Sequence, residues 1–138
     1  MKRALVTAGS SGLGRSIVQF LSDAGYQVIA QAHANAALLQ SIDRVSVCVA
    51  DLSSDDGRRT LVDAVRSGGA LDVLVHNLGI YVEDFVEDID VVTFRSVFEL
   101  TCTANFALTQ DLMPELVAAA PARVITIGDS GADRIEAR

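Results

Sequence analysis

The octapeptide Thr7-Ala8-Gly9-Ser10-Ser11-Gly12-Leu13-Gly14 directly follows the apolar run Ala4-Leu5-Val6 and opens a helical pattern. No other stretch constrains the chain so tightly. A strand, a turn of small residues and a helix start in immediate succession form a phosphate site. The lack of side-chain bulk lets an anion reach main-chain N–H groups, and the helix N-terminus adds donors and a partial positive charge. Gly9, Ser10, Ser11, Gly12, Leu13 and Gly14 are therefore the candidate diphosphate-binding residues. The helix behind them carries Leu13, Ile17, Leu21 and Ala24 at helical spacing, with Gly25 placed to end it.

The rest of the chain alternates strand and helix patterns with short turns, as a parallel sheet with helices on both faces requires. Strands are expected at Arg3 to Thr7, Gln27 to Ala32, Arg44 to Ala50, Leu71 to His76 and Arg123 to Ile127. Between them fall a short helix from Asn35 to Ile42, a helix from Asp55 to Arg66 and a long helix from Asp90 to about Met113. In the long helix Phe94, Phe98, Thr101, Asn105, Leu108 and Leu112 share one stripe. Pro114 disfavours a helical Met113 and marks the helix end, with room for a short turn after it. Gly128 to Arg138 is polar and aperiodic. The 138 residues read as a single domain without repeats or linkers.

Composition narrows the partners. A hydrophobic content of 50% and a mean hydropathy of +0.35 supply a core. A net charge of −7 with no basic block argues against nucleic acid or an anionic membrane. No apolar run reaches spanning length, and the start of the chain is too short in apolar residues for a secretory signal, so the expected location is cytoplasmic. Cys48 and Cys102 read as buried free thiols rather than a disulfide or a metal site.

Four elements, each at a strand end and in the right order, give the chain its resemblance to the N-terminal part of the short-chain dehydrogenase/reductase family. The family turn Thr-Gly-x-x-x-Gly-x-Gly is matched by Thr7, Gly12 and Gly14, with Ala8 replacing the first glycine. Asp51-Leu52 stands where the family places an adenine-binding Asp. His76-Asn77-Leu78-Gly79 stands for Asn-Asn-Ala-Gly, and Arg123 to Ile127 resembles the strand that delivers the catalytic Ser. The resemblance implies a Rossmann-type doubly wound sheet of strand order 3-2-1-4-5, about five strands against the family's seven. It implies a nicotinamide dinucleotide held by the glycine-rich turn, Asp51, Leu52, Asn77, Leu78 and Gly79. The second strand ends in Ala32-His33 with no carboxylate to accept a ribose 2′-OH. His33 falls where NADP-preferring relatives often carry Arg, and Arg15 lies just inside the helix. NADP is thus favoured over NAD.

Catalytic groups are where the resemblance thins. The family works with Ser, Tyr and Lys and a supporting Asn: a general acid tuned by a nearby cation beside a positioned hydride donor. Lys2 is the only lysine, and neither Tyr26 nor Tyr81 has a lysine four residues on. Asp129 aligns with the catalytic Ser, with Ser130 one residue beyond; Thr101 aligns with the supporting Asn, and Asn105 lies one turn further. An Asp at the Ser position resembles the pteridine reductase branch, which adds a pterin C=N to carbonyls as possible substrates. The resemblance implies an oxidoreductase that forms homo-oligomers through the region Val97 to Leu108. The chain itself is expected to bind cofactor while lacking the rest of the family fold, its fifth strand left as an open apolar edge. Two other readings remain at this point: a nucleotide sensor without chemistry, and a flavodoxin-like receiver.

Overall fold

The computed structural model describes residues 1–129. Five parallel strands, β1 (Arg3–Val6), β2 (Gln27–Ala32), β3 (Val45–Val49), β4 (Val73–His76) and β5 (Arg123–Thr126), form one sheet in the order β3-β2-β1-β4-β5. Successive side chains of a strand point to opposite faces, and the core divides accordingly. Ala4, Val6, Val28, Ala30, Val73 and Val75 pack beneath helix α1 (Gly12–Asp23), against Val18 and Leu21. Leu5, Ile29 and Leu74 face the other way, onto Leu61, Val62 and Val65 of α2 (Asp55–Arg66) and Leu108 of α4 (Ala104–Asp111). Helices on both faces of a parallel sheet make the doubly wound fold that the alternating pattern predicts.

Local chemistry explains the helix starts. The Ser54 side chain accepts from the Gly57 N–H at 3.1 Å, and Asp55 and Asp56 occupy the positive first turn of α2. Asp90 caps α3 (Val91–Phe98) by accepting from the Thr93 N–H at 2.7 Å.

The long helix differs from expectation in two ways. A π-helical turn, Glu99–Thr103, separates α3 from α4. An extra residue in one turn shifts the phase of all later residues by about 100°. The expected stripe is therefore split: Leu108 and Leu112 are buried while Phe94 and Phe98 are exposed. Pro114 does not stop the chain's helical course. It occupies the first turn of a further short helix, α5 (Met113–Ala118), where a missing N–H costs nothing, and Met113 is helical. Between β2 and β3 only one 3₁₀ turn, Ala37–Leu39, forms in place of a helix from Asn35 to Ile42. Cys102 is exposed rather than buried, and Cys48 is half-buried, its thiol pushed up by that burial. β5 is the sheet edge beyond β4, and Val124, Ile125 and Ile127 near it are exposed. No helix among the described residues is long and apolar enough to cross a membrane.

Candidate functional site

Because all strands run parallel, their C-terminal ends lie along one edge, and the sequence-derived residues arrive there together. The glycine-rich turn leaves β1, His33 follows β2, Asp51 and Leu52 follow β3, Asn77 to Gly79 leave β4, and Asp129 lies just beyond β5. The chain reverses its order of strand addition between β1 and β4, and such a switch point opens a crevice for a ligand. Ser130 falls outside the described residues.

Hydrogen bonds of the buried Thr7 and Gln31, together with Asn77, set the shape of the turn. Thr7 Oγ1 accepts from the main-chain N–H groups of Asn77 and Leu78, each at 3.0 Å, tying the end of β1 to the loop after β4. The Asn77 side-chain amide donates to the Ala8 carbonyl at 3.1 Å. On the other side, Gln31 accepts from the Ala8 N–H at 2.7 Å through its side chain and from the Gly9 N–H at 2.8 Å through its carbonyl. Its own amide donates to Ala50 O at 2.8 Å. Gln31 is buried and frames the site, yet the sequence reading passed over it. Its one signal was a glutamine near the end of an otherwise apolar strand.

With its walls fixed in this way, the turn presents an open front. Gly12 has a left-handed φ of 50°, and a Cβ there would meet nothing within 4 Å; the same is true of the space around Gly79. Ser11 makes no side-chain cap on α1, so the first-turn N–H groups, which lack partners within any helix, are left for a ligand. An open cradle, free donors and a helix N-terminus fit a dinucleotide diphosphate. Ala8 is a different matter. Its φ of 49° is left-handed, so the replacement of the family glycine is strained, at about 1–2 kcal/mol for an L residue. Set against glycine's added unfolded-state entropy, Ala8→Gly is expected to stabilise the chain by roughly 0.5–1 kcal/mol. An unchanged midpoint in denaturant titration would contradict this.

At the far end of the crevice, Asp51 and His33 meet, with Nδ1 to Oδ1 at 3.8 Å and both side chains exposed. Asp51 accepts from the Ser53 hydroxyl at 2.7 Å and the Ser53 N–H at 3.0 Å. These donors, with a smaller contribution from His33, hold its carboxyl below the usual range. It is thus an ionised hydrogen-bond acceptor beside an imidazole.

Beneath the opposite end lies His76, only 2% exposed. Nε2 is 2.7 Å from Thr109 Oγ1 on α4, and Asn105 donates from its side-chain amide to Thr101 O in the π turn at 2.8 Å. His76 Nδ1 and Asn105 Oδ1 are both buried without a partner in good hydrogen-bond geometry, and the two side chains interact. Thr101 is exposed and Asn105 half-buried. The structure therefore joins the loop of Asn77 to the π turn of Thr101 through His76 and Asn105. Tyr81 is exposed.

The architecture is that of a dinucleotide-binding Rossmann domain. The family model for short chain dehydrogenases matches residues 2–134, and the chain belongs to that oxidoreductase family. It is 38% identical over 136 residues to the rhamnolipids biosynthesis 3-oxoacyl-[acyl-carrier-protein] reductase of Pseudomonas aeruginosa, covering 91% of this chain and 53% of that protein. The solved structure of the Pseudomonas aeruginosa RhlG/NADP active-site complex superposes with a TM-score of 0.90 at 34% identity, covering 99% of this chain and 58% of the other. A short-chain dehydrogenase from Streptomyces avermitilis gives a TM-score of 0.88 at 29% identity, covering 97% and 51%. The chain thus spans about half the length of the relatives it matches.

Proposed function

We propose that this chain is the cofactor-binding part of an NADP(H)-dependent oxidoreductase acting on a small-molecule carbonyl. The observation that carries the reading is the open Gly12 cradle, held between Thr7, Asn77 and Gln31 at the switch point of the sheet. Ser10, Ser11, Gly12, Leu13 and Gly14 would hold the diphosphate through main-chain donors, while Gly9, whose own N–H is given to Gln31 O, would shape the turn beneath it. Asp51 and Leu52 would take the adenine, His33 the 2′-phosphate, and Asn77, Leu78 and Gly79 the nicotinamide side. When bound, the cofactor supplies or accepts a hydride. The chain's own residues bind and orient it; Asp129 stands beyond β5 for the substrate side, and Ser130 is assigned there from the sequence alone. The similarity to a protein complexed with NADP supports NADP over NAD, and the similarity to a 3-oxoacyl reductase supports a carbonyl over a pterin C=N. Phe98 and Phe106, exposed on α3 and α4, support a homo-oligomer contact on that surface. Because Tyr-x-x-x-Lys is absent from the 138 residues, the chain alone should bind without turning over.

Calorimetric titration with NADPH and NADH tests this. Binding of NADPH in preference to NADH, with no NADPH oxidation on adding 3-oxoacyl or pterin substrates, is the expected result. His33→Glu replaces the imidazole by a group that repels a 2′-phosphate. It should weaken NADPH by about 10-fold or more while sparing NADH, roughly 1.4 kcal/mol per decade. An unaltered NADPH-to-NADH ratio would remove His33 from the site.

A further inference from the structure

Arg58 lies on the first turn of α2 with its side chain only 10% exposed. Its Nη1 donates to the Leu52 carbonyl at 2.7 Å and to Glu99 Oε1 at 2.9 Å, and its Nη2 donates to Asp55 Oδ1. One guanidinium thus reaches two places far apart in sequence. Leu52 follows Asp51 in the loop that faces the adenosine end. Glu99 is the first residue of the π turn that carries Thr101. The loop has little freedom of its own: a Cβ on Gly57 would stand 1.9 Å from Asp51 O, so the start of α2 abuts the loop backbone. Charge-assisted hydrogen bonds from a planar, buried guanidinium hold direction as well as distance. A displacement of the Leu52 carbonyl is therefore passed to Glu99 through a rigid group.

We propose that Arg58 and Glu99 form a positioning strut that couples occupancy of the Asp51–Leu52 subsite to the conformation of the π turn Glu99–Thr103. The proposal rests on the cofactor reading given above and extends it. Adenosine seated on the Asp51 loop sets the position of the Leu52 carbonyl, and the strut carries that restraint to the turn that supports the reacting end. The adenosine half of the cofactor then prepares the region around Thr101 without touching it. Arg58 and Glu99 contact no reacting atom and act only through Leu52 and the turn.

The test uses ADP-ribose, which carries the adenosine half without nicotinamide. In the native chain ADP-ribose should slow amide hydrogen exchange at residues 99–103 by about 5-fold or more, the lower range of a coupling free energy between sites. Glu99→Gln keeps side-chain size and removes the ion pair. It should abolish that protection while changing ADP-ribose affinity by less than about 3-fold, below a 1 kcal/mol effect. Arg58→Met should lose the protection and also weaken ADP-ribose by about 10-fold; Arg58→Lys, which keeps the charge, should recover part of the affinity. Protection that persists in Glu99→Gln would overturn the strut, as would its absence from the native chain under saturating ADP-ribose. Failure of the native chain to bind either ADP-ribose or NADPH would instead remove the cofactor reading, and the strut's role with it.

Discussion

Gly14→Ala is expected to abolish measurable NADPH binding and to destabilise the chain by about 3 kcal/mol or more, because main chain rather than a flexible side chain must move to admit the new atom. A Cβ on Gly14 would stand 2.1 Å from Ala8 O and 2.6 Å from Asn77 Nδ2. Those two atoms are hydrogen-bonded to each other, so the methyl group would part them and push α1 away from the end of β1. Gly12 provides the contrast. An alanine there meets open space, and its cost is the left-handed φ, about 1–2 kcal/mol. On the proposed reading its remaining effect falls on the ligand, since the volume a Cβ would enter is the one assigned to the diphosphate. Unfolding in denaturant and calorimetry with NADPH separate the two. Gly14→Ala should fail in both, whereas Gly12→Ala should lose binding out of proportion to stability. A Gly14→Ala chain with the native midpoint would show that helix and turn are not packed as described.

The distribution of glycines made this end of the fold readable in advance. A run of small residues between an apolar strand and a helical pattern has few other uses, and each later strand ended in a polar residue that a parallel sheet delivers to the same edge. Helices on both faces and the grouping of Asp51, Asn77 and Gly79 followed from that logic, whereas the strand order came from the family resemblance. What the sequence hid were features that depend on cancellation between local and tertiary forces. The π turn at Glu99–Thr103 has no signature of its own in residue spacing, and it alone dislocated the predicted stripe. Pro114 carries the same local rule whether it ends one helix or starts the next; packing of Leu112 and Leu116 into the core decides for the second. Ala8 in the left-handed region runs against its own preference, and the bonds from Gln31 and Asn77 hold it there. Arg58 and Gln31 show their part only once the partners they bridge are brought within reach.

The substitution of histidine for the family's first Asn in His76-Asn77-Leu78-Gly79 has a consequence for acid stability. Burial opposes the imidazolium, so His76 titrates below its ordinary value near 6.5, the interaction with Asn105 offsetting part of that shift. In the unfolded chain it titrates at the ordinary value. Between these two points the unfolded state carries a proton that the native state refuses, and unfolding is favoured as pH falls. The histidine contribution is therefore intact above about pH 6.5 and is lost progressively below it, with a limiting slope of about 1.4 kcal/mol per pH unit. Asp51 and Asp90, whose carboxyls are held low by Ser53 and Thr93 donors, add their losses only further into acid, so the two windows separate. The neutral ring also settles the local hydrogen bonding. The Thr109 hydroxyl donates its one proton to Asn105 O at 2.9 Å, so the ring donates from Nε2 to Thr109 Oγ1, and the buried Nδ1 of the neutral ring is an acceptor. His76→Asn keeps a polar side chain near Asn105 but cannot titrate. Its stability should be lower than native at pH 7.5, by about 1 kcal/mol for the lost Thr109 bond. On moving to pH 5.5 the gap should close, because only the native chain loses the histidine contribution. Parallel stability curves for the two chains across that interval would mean that His76 takes up its proton as readily in the folded protein as in the unfolded chain, and the buried link from Asn77 to the π turn would have to accommodate an imidazolium at the acid end.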